Sequence, residues 1–415
     1  MSASCATRLQ AGTPTYRLAC ATLFGAGFCC FAMIYVAQGI LPGLSRDFSV
    51  SPAEASLALS LTTLPLAVAV MVVASWAEGR SRRGVLAGAL VGAGVLTVLA
   101  AASPEFGPLL GFRVLTGLVL AGLPAVAMAY VAEEVDGSAL GTVMGLYVSG
   151  TGLGGMTGRL LGGAVAGALS WRWAVLVVGL LGLCGALMVV RWLPRSRNFV
   201  PERGPLLRRL GGLALHLRDP TLRGLYACGF VLMGSLVALF NYLQYRLAAA
   251  PFDLAPALIA SVFLLYLFGT WSSNWFGRLT DRRPRRQVML LGFVIMIAGV
   301  ALTLPDSLPA VLAGSALAVF GFFGAHSVAS GWVHAATTAR RAQASALYLF
   351  GYHLGSSLAG FVGGLFYEGM GWPGLVGMIG VLLAAGLVVT LRLPAARPPG
   401  NSTAGSSARW TPEPD

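Results

Sequence analysis

The feature that most constrains this chain is a succession of long apolar runs separated by short polar turns. Runs of about 17 apolar residues or more can cross a bilayer as helices. Inside lipid every backbone group must be satisfied, and barrel strands would be shorter and alternate in polarity. The pattern therefore predicts an all-α membrane protein with twelve transmembrane helices. The predicted spans are 18–42, 55–77, 85–104, 106–132, 138–168, 173–191, 224–245, 255–277, 287–305, 308–336, 342–367 and 373–391.

Composition and charge exclude several other classes. Hydrophobic residues make up 56% of the chain and charged residues 10%, with a mean hydropathy of +0.77, far from the averages of soluble domains. All 28 basic residues are arginines, and they raise the net charge to +13. Most of them stand between apolar runs, so they indicate membrane topology rather than a nucleic-acid partner.

The arginines are divided unequally between the two sides of the membrane. One side receives both termini and the basic loops, whereas the other receives only Arg46, Arg172 and Arg246. By the positive-inside rule both termini are expected in the cytoplasm. No P-loop, catalytic triad or cysteine spacing of a metal site is present, so we expect no enzyme, no cofactor and no metal.

A duplicated segment divides the chain into two halves. The stretch 277–286 (GRLTDRRPRR) has a degraded copy at 74–83 (ASWAEGRSRR), and the acids of the two copies lie 203 positions apart. A second match, at an offset of 201, relates the fifth and eleventh spans. We therefore predict two pseudo-symmetric six-helix halves, 1–193 and 223–393, a cytoplasmic linker and a disordered cytoplasmic tail at 394–415. The linker, 194–222, either forms an amphipathic helix over 206–218 or is solvated.

Duplicated halves place a substrate cavity at their interface, near the middle of the bilayer. The first and seventh spans are equivalent helices, and both carry polar residues beside aromatic ones. The cavity candidates are Tyr35, Gln38, Asn241, Tyr242 and Gln244. The alternative is that these side chains only form hydrogen bonds between helices, worth about 1 kcal/mol each.

These motifs resemble those of the major facilitator superfamily. Its loop signature, G-x-L-x-D-R-x-G-R-R/K, is met by the second copy with Pro284 in place of the later glycine. The fifth span is similar to the family's antiporter motif, except that Arg159 replaces a proline. Its glycines are Gly145, Gly154, Gly158, Gly162 and Gly163. More narrowly, Tyr35-x-x-Gln38 and the segment 170–172 (SWR) resemble bacterial inner-membrane carriers of the arabinose-efflux-permease type.

The resemblance implies a conformational role for the loop motif. In the family the motif's acid holds the two halves together in the outward-open state, at a helix N-terminus where the macrodipole favours negative charge. Glu78 and Asp281 are the corresponding acids here. The other gating candidates are Arg82, Arg83, Gly277, Arg282, Arg285, Arg286, Glu133 and Glu134. The alternative is that these arginines serve membrane topology alone. In the second half, Arg340 and Arg341 lie at the helix end that matches that of Glu133 and Glu134.

Four residues are candidates for coupling. Arg113 falls where the family has an arginine linked to proton coupling, although it could instead snorkel to the interface. Arg159 could instead brace span five on backbone carbonyls. Since no acid lies clearly at the midplane, His353 and then His326 are the candidate proton carriers. Buried core histidines are the alternative.

The predicted function is secondary transport by alternating access, with proton-coupled efflux of a small organic solute, drug-like or sugar-like. We expect a monomer in the bacterial inner membrane. An importer or uniporter of sugars or organic acids remains open, because the same fold permits it and uncoupled transport needs no midplane acid. A non-transporting sensor on a carrier fold is the third alternative.

Overall fold

The computed structural model describes residues 8–77, 80–196, 198, 216–337 and 341–394. These residues form helices joined by short loops, and the predicted all-α class is confirmed. The membrane helices are α1 (Pro14–Gly39), α2 (Pro52–Trp76), α3 (Arg82–Ala101), α4 (Phe106–Glu134), α5 (Leu140–Ala168), α6 (Trp171–Trp192), α7 (Pro220–Ala248), α8 (Pro256–Thr280), α9 (Arg285–Leu302), α10 (Leu308–Ala336), and α11 and α12 within Arg341–Arg392. A short helix, Leu41–Phe48, follows α1.

Two details complete the count of twelve. The segment Arg341–Arg392 is helical except at Gly371, whose φ of 63° lies in the left-handed region and separates α11 from α12. A residue without Cβ adopts this conformation at little cost. Helix α5 is long enough to cross a bilayer, and its many glycines lower its hydropathy.

The helix starts follow from local sequence signals. Helix α2 begins with a capping box, in which the Ser51 side chain accepts from the Glu54 N–H and the Glu54 carboxylate accepts from the Ser51 N–H. At the start of α7 the Asp219 side chain accepts from the Thr221 and Leu222 N–H groups, and Pro220 stands at the first helical position. Such caps satisfy the free N–H groups of the first turn.

Glycines let α5 pack closely on α1 and α11 pack closely on α7. A Cβ at Gly154 would collide with the Phe28 carbonyl of α1, and one at Gly158 would collide with Ala32. In the second half a Cβ at Gly355 would collide with the Phe230 carbonyl of α7. Small residues at a spacing of four are the usual means of close helix contact in membranes. Gly154 and Gly158 of the antiporter-like motif therefore act in packing within the first half, whereas a Cβ at Gly145 would meet no atom within 4 Å.

The duplication is visible in matching contacts. Arg83, at the start of α3, donates to the Val190 carbonyl at the end of α6. Arg286, at the start of α9, donates to the Leu393 carbonyl beyond α12 at 3.3 Å. Donors and acceptors are each 203 positions apart. An arginine on the last carbonyls of a helix also complements its dipole.

Some predictions lie outside the described residues. They concern Glu78, Arg340, most of the proposed linker helix and the tail from 395 onward. The side chain of Arg341 is also outside them. The division of the chain at 193 and 223 stays a prediction.

Candidate substrate site and gates

The two ends of the helix bundle differ. We call the end at which α1 finishes and α2 begins the closed end, and the end that carries the N-terminus the open end. Among the described residues, all seven hydrogen bonds that join the two halves lie between the closed end and the middle of the spans. The halves therefore meet on one side of the membrane.

The outermost link is a helix cap supplied by the opposite half. The Glu368 carboxylate, near the end of α11, accepts from the Ala53 N–H in the first turn of α2 at 2.7 Å. A negative charge at a helix N-terminus is stabilised by the macrodipole. Ser45 and Tyr245 share a second hydrogen bond across the halves at 2.8 Å.

Close helix contacts lie beneath these bonds. A Cβ at Gly364 of α11 would come within 2.5 Å of Ala53, and one at Gly163 of α5 within 2.6 Å of Ala260 in α8. These two glycines are 201 positions apart. The Ser357 hydroxyl, deeper in α11, lies 2.9 Å from the Thr63 hydroxyl of α2. Equivalent glycines of the two halves thus bring α11 onto α2 and α5 onto α8.

A cavity of about 820 Å³ opens between the halves at the closed end. Pro42, Asp47, Trp171, Tyr245 and Gln244 are among the residues that line it. Gln244 also donates to the Gln38 carbonyl at 2.6 Å. The cavity therefore ends on the polar layer formed by α1 and α7.

That polar layer joins three helices and both halves. Arg159 Nε of α5 donates to Gln38 Oε1 at 2.5 Å, and Gln38 Nε2 donates to Asn241 Oδ1 at 2.7 Å. Gln38 and Asn241 are fully buried, and Arg159 is 3% exposed. The two amides lie 203 positions apart, so they are equivalent residues that meet at the interface. Tyr35 and Gln244 adjoin the same layer.

The Arg159 guanidinium lies between aromatic faces. Its Cζ is 3.7 Å from the Tyr35 ring centroid and 4.7 Å from that of Tyr266 in α8. Its NH1 group donates to the Gly155 carbonyl at 2.8 Å. In the part of the chain that the structure describes, Arg159 forms no ion pair. The centre of the molecule therefore holds a positive charge balanced only by dipoles and ring faces.

Arg113 is also buried, but its surroundings differ. Its guanidinium donates to the carbonyls of Ala58, Met33 and Ile34 at 3.0, 2.9 and 2.7 Å. All three carbonyls belong to α1 and α2 of the same half. The arginine is 3% exposed, and its hydrogen-bond acceptors among the described residues all lie in the first half. This geometry connects α4 to α1 and α2.

The two histidine candidates lie in an aromatic cluster of α10 and α11. His326 stacks on Phe322, with centroids 5.6 Å apart, and its Nδ1 lies 2.8 Å from the Tyr348 hydroxyl. His353 is buried beside Tyr352, and its Nδ1 has no hydrogen-bond partner among the described residues. His353 therefore has a free ring nitrogen, whereas His326 Nδ1 is occupied.

At the open end, gating candidates of the first half are connected to neighbouring side chains, whereas Asp281 of the second half has no such contact among the described residues. Arg82 forms a two-point ion pair with Glu133 at 2.7 and 3.2 Å. Glu134 accepts from the Asn198 backbone and side chain at 2.9 and 3.2 Å. Asp281 is exposed, and within the described ranges no ion pair includes it. Its carboxylate is therefore not engaged in this conformation.

Three polar side chains are exposed in the parts of α5 and α8 that lie toward the open end. They are Ser149, Thr270 and Asn274. The same two helices touch at Gly163 and Ala260 near the closed end. Helix α5 packs mainly against the first part of α8, Pro256–Ser261 and Val262–Tyr266, rather than against Leu267–Thr280, so the two helices diverge toward the open end.

The structure brings four of the five cavity candidates together. Gln38 and Asn241 belong to the polar layer, and Tyr35 and Gln244 adjoin it. The fifth, Tyr242, donates to the Gly360 carbonyl at 2.5 Å and stacks on Tyr367. Tyr266 was not predicted from the sequence. It lies in the 3₁₀ turn Val262–Tyr266 within α8, and no motif marked it.

Comparison with known proteins fits this architecture. The family model "Major Facilitator Superfamily" matches residues 23–277 and 225–412. The chain belongs to the major facilitator superfamily. It is 41% identical over 381 residues to "Uncharacterized MFS-type transporter YybF" of Bacillus subtilis, covering 92% of this chain and 94% of that protein. It is 40% identical to "Inner membrane transport protein YnfM" of Escherichia coli, covering 93% and 92%.

The fold also matches solved structures of this superfamily. A bacterial homologue of the human lysosomal transporter Spinster, in an inward-facing and occupied conformation, gives a TM-score of 0.71 at 20% identity. The match covers 92% of this chain and 94% of that one. Major facilitator membership makes the chain a multi-pass membrane transporter of a small molecule. The resemblance found in the sequence motifs is thus confirmed at the level of the family.

Proposed function

We propose that this transporter exports a small organic solute by alternating access. The observation that carries the proposal is the polar layer of Gln38, Asn241 and Arg159. It closes the interface on one side, while α5 and the Leu267–Thr280 part of α8 separate toward the other. A binding layer between two rocking halves is the arrangement that alternating access requires.

The open end is proposed to face the cytoplasm of a bacterial cell. The arginine-rich loops at this end support that orientation by the positive-inside rule. The name of the Escherichia coli relative supports an inner-membrane location. A solute would then enter from the cytoplasm, reach the polar layer and leave once the closed end separates.

Protons are the proposed coupling ion, with His353 as their carrier. Its free Nδ1 and its position in α11, the helix that closes onto α2, support this role. A histidine can exchange a proton near neutral pH. We propose a structural role for Arg113, because all of its described partners are backbone carbonyls of one half.

Everted membrane vesicles, energised to be acid inside and loaded with a pH-sensitive dye, test this function. Vesicles with the protein, without it, and with His353→Gln are challenged with organic acids, sugars and cationic drugs. Dequenching that requires the protein and is lost in His353→Gln supports proton-coupled export. Solute flux without any pH signal would reject the coupling, and the absence of flux for every solute class would count against transport itself.

A further inference from the structure

We propose that the transported solute is an organic anion, and that Arg159, Tyr266 and Asn241 bind its carboxylate. This inference rests on the proposed transport function, because it names the solute class of the same site. It follows from three features of the polar layer, namely its charge, its unpaired donors and its asymmetry.

The charge of the layer comes from Arg159 alone. This guanidinium is 3% exposed and belongs to no ion pair among the described residues. The acids of the chain lie in loops, in the tail or near helix ends, and none lies midway along a span. A buried charge without a counter-ion is costly, and in a medium of low dielectric constant it attracts an anion far more strongly than in water. The same charge repels a cationic solute.

Arg159 also fixes the orientation of both amides in the layer. A guanidinium can only donate, so Gln38 must present Oε1 to it and direct Nε2 toward Asn241. Asn241 must then accept through Oδ1, which leaves its Nδ2 group as a donor. Within the described structure, neither Asn241 Nδ2 nor the buried Tyr266 hydroxyl has a partner.

Unpaired buried polar groups are rare in folded proteins, because each forfeits its hydrogen bonds to water. A carboxylate offers two oxygens that only accept. It could neutralise Arg159 and pair with one or both unused groups. An amine could do neither, and a neutral sugar could supply acceptors without neutralising the charge.

The two halves differ at the position that faces these amides. The residue 201 positions after Arg159 is Gly360, where the second half has no side chain. A Cβ built on Gly360 would lie 3.4 Å from Asn241 Nδ2, at ordinary contact distance, and 3.6 Å from the Ser60 hydroxyl. The second half therefore has no side chain beside Asn241 in the place that Arg159 fills beside Gln38.

The inference is tested on the full-length purified protein with two matched series of probes. These are benzoate, benzamide and benzylamine, and hexanoate, hexanamide and hexylamine. Binding is measured as a saturable rise in melting temperature and by titration of tryptophan fluorescence. We expect at least one carboxylate to bind about tenfold or more tightly than its amide, and neither amine to bind.

Three variants locate the binding site. Arg159→Gln should weaken carboxylate binding about tenfold or more. Tyr266→Phe should weaken it about threefold without lowering the melting temperature of the ligand-free protein, because the hydroxyl has no internal partner to lose. Arg172→Gln is the matched control: it removes an arginine that stacks on Trp171 and donates to the Ser103 carbonyl, outside the polar layer. Its affinity should equal that of the wild type.

Several outcomes would overturn the proposal. One is equal affinity for the carboxylates in Arg159→Gln and in the wild type. Another is an amine that binds more tightly than the matching carboxylate. The third is that neither carboxylate binds. Flux of labelled probes into proteoliposomes separates this inference from the proposed function. Transport of an amine or an amide without carboxylate binding rejects the anion site and supports the transport function. Carboxylate binding without flux of any probe supports the anion site and rejects transport.

Discussion

The closed and open ends of the bundle carry similar acidic groups, but among the described residues an acid joins the two halves only at the closed end. At the closed end Glu368 caps the first turn of α2 from the opposite half. At the open end Asp281, which the family motif places in such a role, is exposed and outside any described ion pair. The same chemistry is engaged on one side and released on the other.

This difference indicates how the halves exchange states. A carboxylate at a helix N-terminus stabilises by about 0.3–1 kcal/mol at an exposed site, so one link is weak enough to break in each cycle. Contacts inside a half are different in kind. Arg113 on three carbonyls and Gly154 against Phe28 hold helices that move together. Weak links between the halves and tight packing within them suit rigid-body rocking.

The largest expected effect is that of Gly364→Val at the closed end. Even a Cβ at this position lies within 2.5 Å of Ala53 and of the Tyr242 hydroxyl, so a larger side chain should keep α11 away from α2. Overpacking of this kind costs about 1–3 kcal/mol, which shifts the population toward a separated closed end by up to about a hundredfold. Transport should fall accordingly. Distances between spin labels at residues 46 and 249, in a cysteine-free background, measure the shift.

Gly377→Val is the control, because a Cβ at Gly377 meets no atom within 4 Å. It should leave both the label distances and the transport rate unchanged. If Gly364→Val also shows the wild-type distance, the contact between α11 and α2 does not determine closure.

A smaller shift in the same direction is expected for Glu368→Gln. The amide oxygen can still accept from the Ala53 N–H, so the substitution removes mainly the charge–dipole attraction. A loss of about 0.5–1 kcal/mol corresponds to a two- to fivefold rise in the population with a separated closed end. The same spin-label pair measures it.

Glu105→Gln is the matched control, since Glu105 lies at the same end of the bundle and makes no side-chain cap. The effect of Glu368→Gln should also shrink at high ionic strength, because salt screens exposed charges. If Glu368→Gln and Glu105→Gln shift the label distances equally, the shift comes from the loss of surface charge and not from the loss of the helix cap.

Much of this architecture could be predicted from the sequence, because bilayer thickness and backbone hydrogen bonding leave few alternatives for such apolar runs. The spans and the duplicated halves followed from patterns that repeat along the chain. The candidates Tyr35, Gln38, Asn241 and Gln244 followed as well, since polar residues in equivalent spans of two halves tend to meet at the interface.

The partners of the arginines could not be predicted. Arg113 and Arg159 are both single arginines in apolar spans, and neighbouring sequence does not show which carbonyls or rings will face them. Only the approach of α1 and α2 gives Arg113 its three carbonyls, and only the approach of α8 gives Arg159 the Tyr266 ring. The link through Glu368 depends in the same way on which end of the bundle is closed.

At the open end, Asp281→Asn should act in the opposite direction. Its carboxylate makes no described contact, so the free energy of unfolding should stay within about 0.5 kcal/mol of the wild-type value. If Asp281 caps a helix in the opposite state, its loss should enrich the described conformation up to about threefold and slow transport. Spin labels at the open end and initial rates of solute flux measure the two effects; an unchanged rate would remove Asp281 from the cycle.

The smallest net effect is expected when Glu368→Gln and Asp281→Asn are combined. Each substitution weakens the link of a different state, and the two acids lie at opposite ends of the molecule. Their free-energy changes should therefore add to within about 0.5 kcal/mol and largely cancel in the population ratio. Label distances should return toward those of the wild type. Both conformations lose a stabilising link, while the packing inside each half is unchanged. If this loss makes each conformation easier to leave, transport should be faster than in the wild type. A double variant that kept the full shift of Glu368→Gln would show that only the closed end sets the balance.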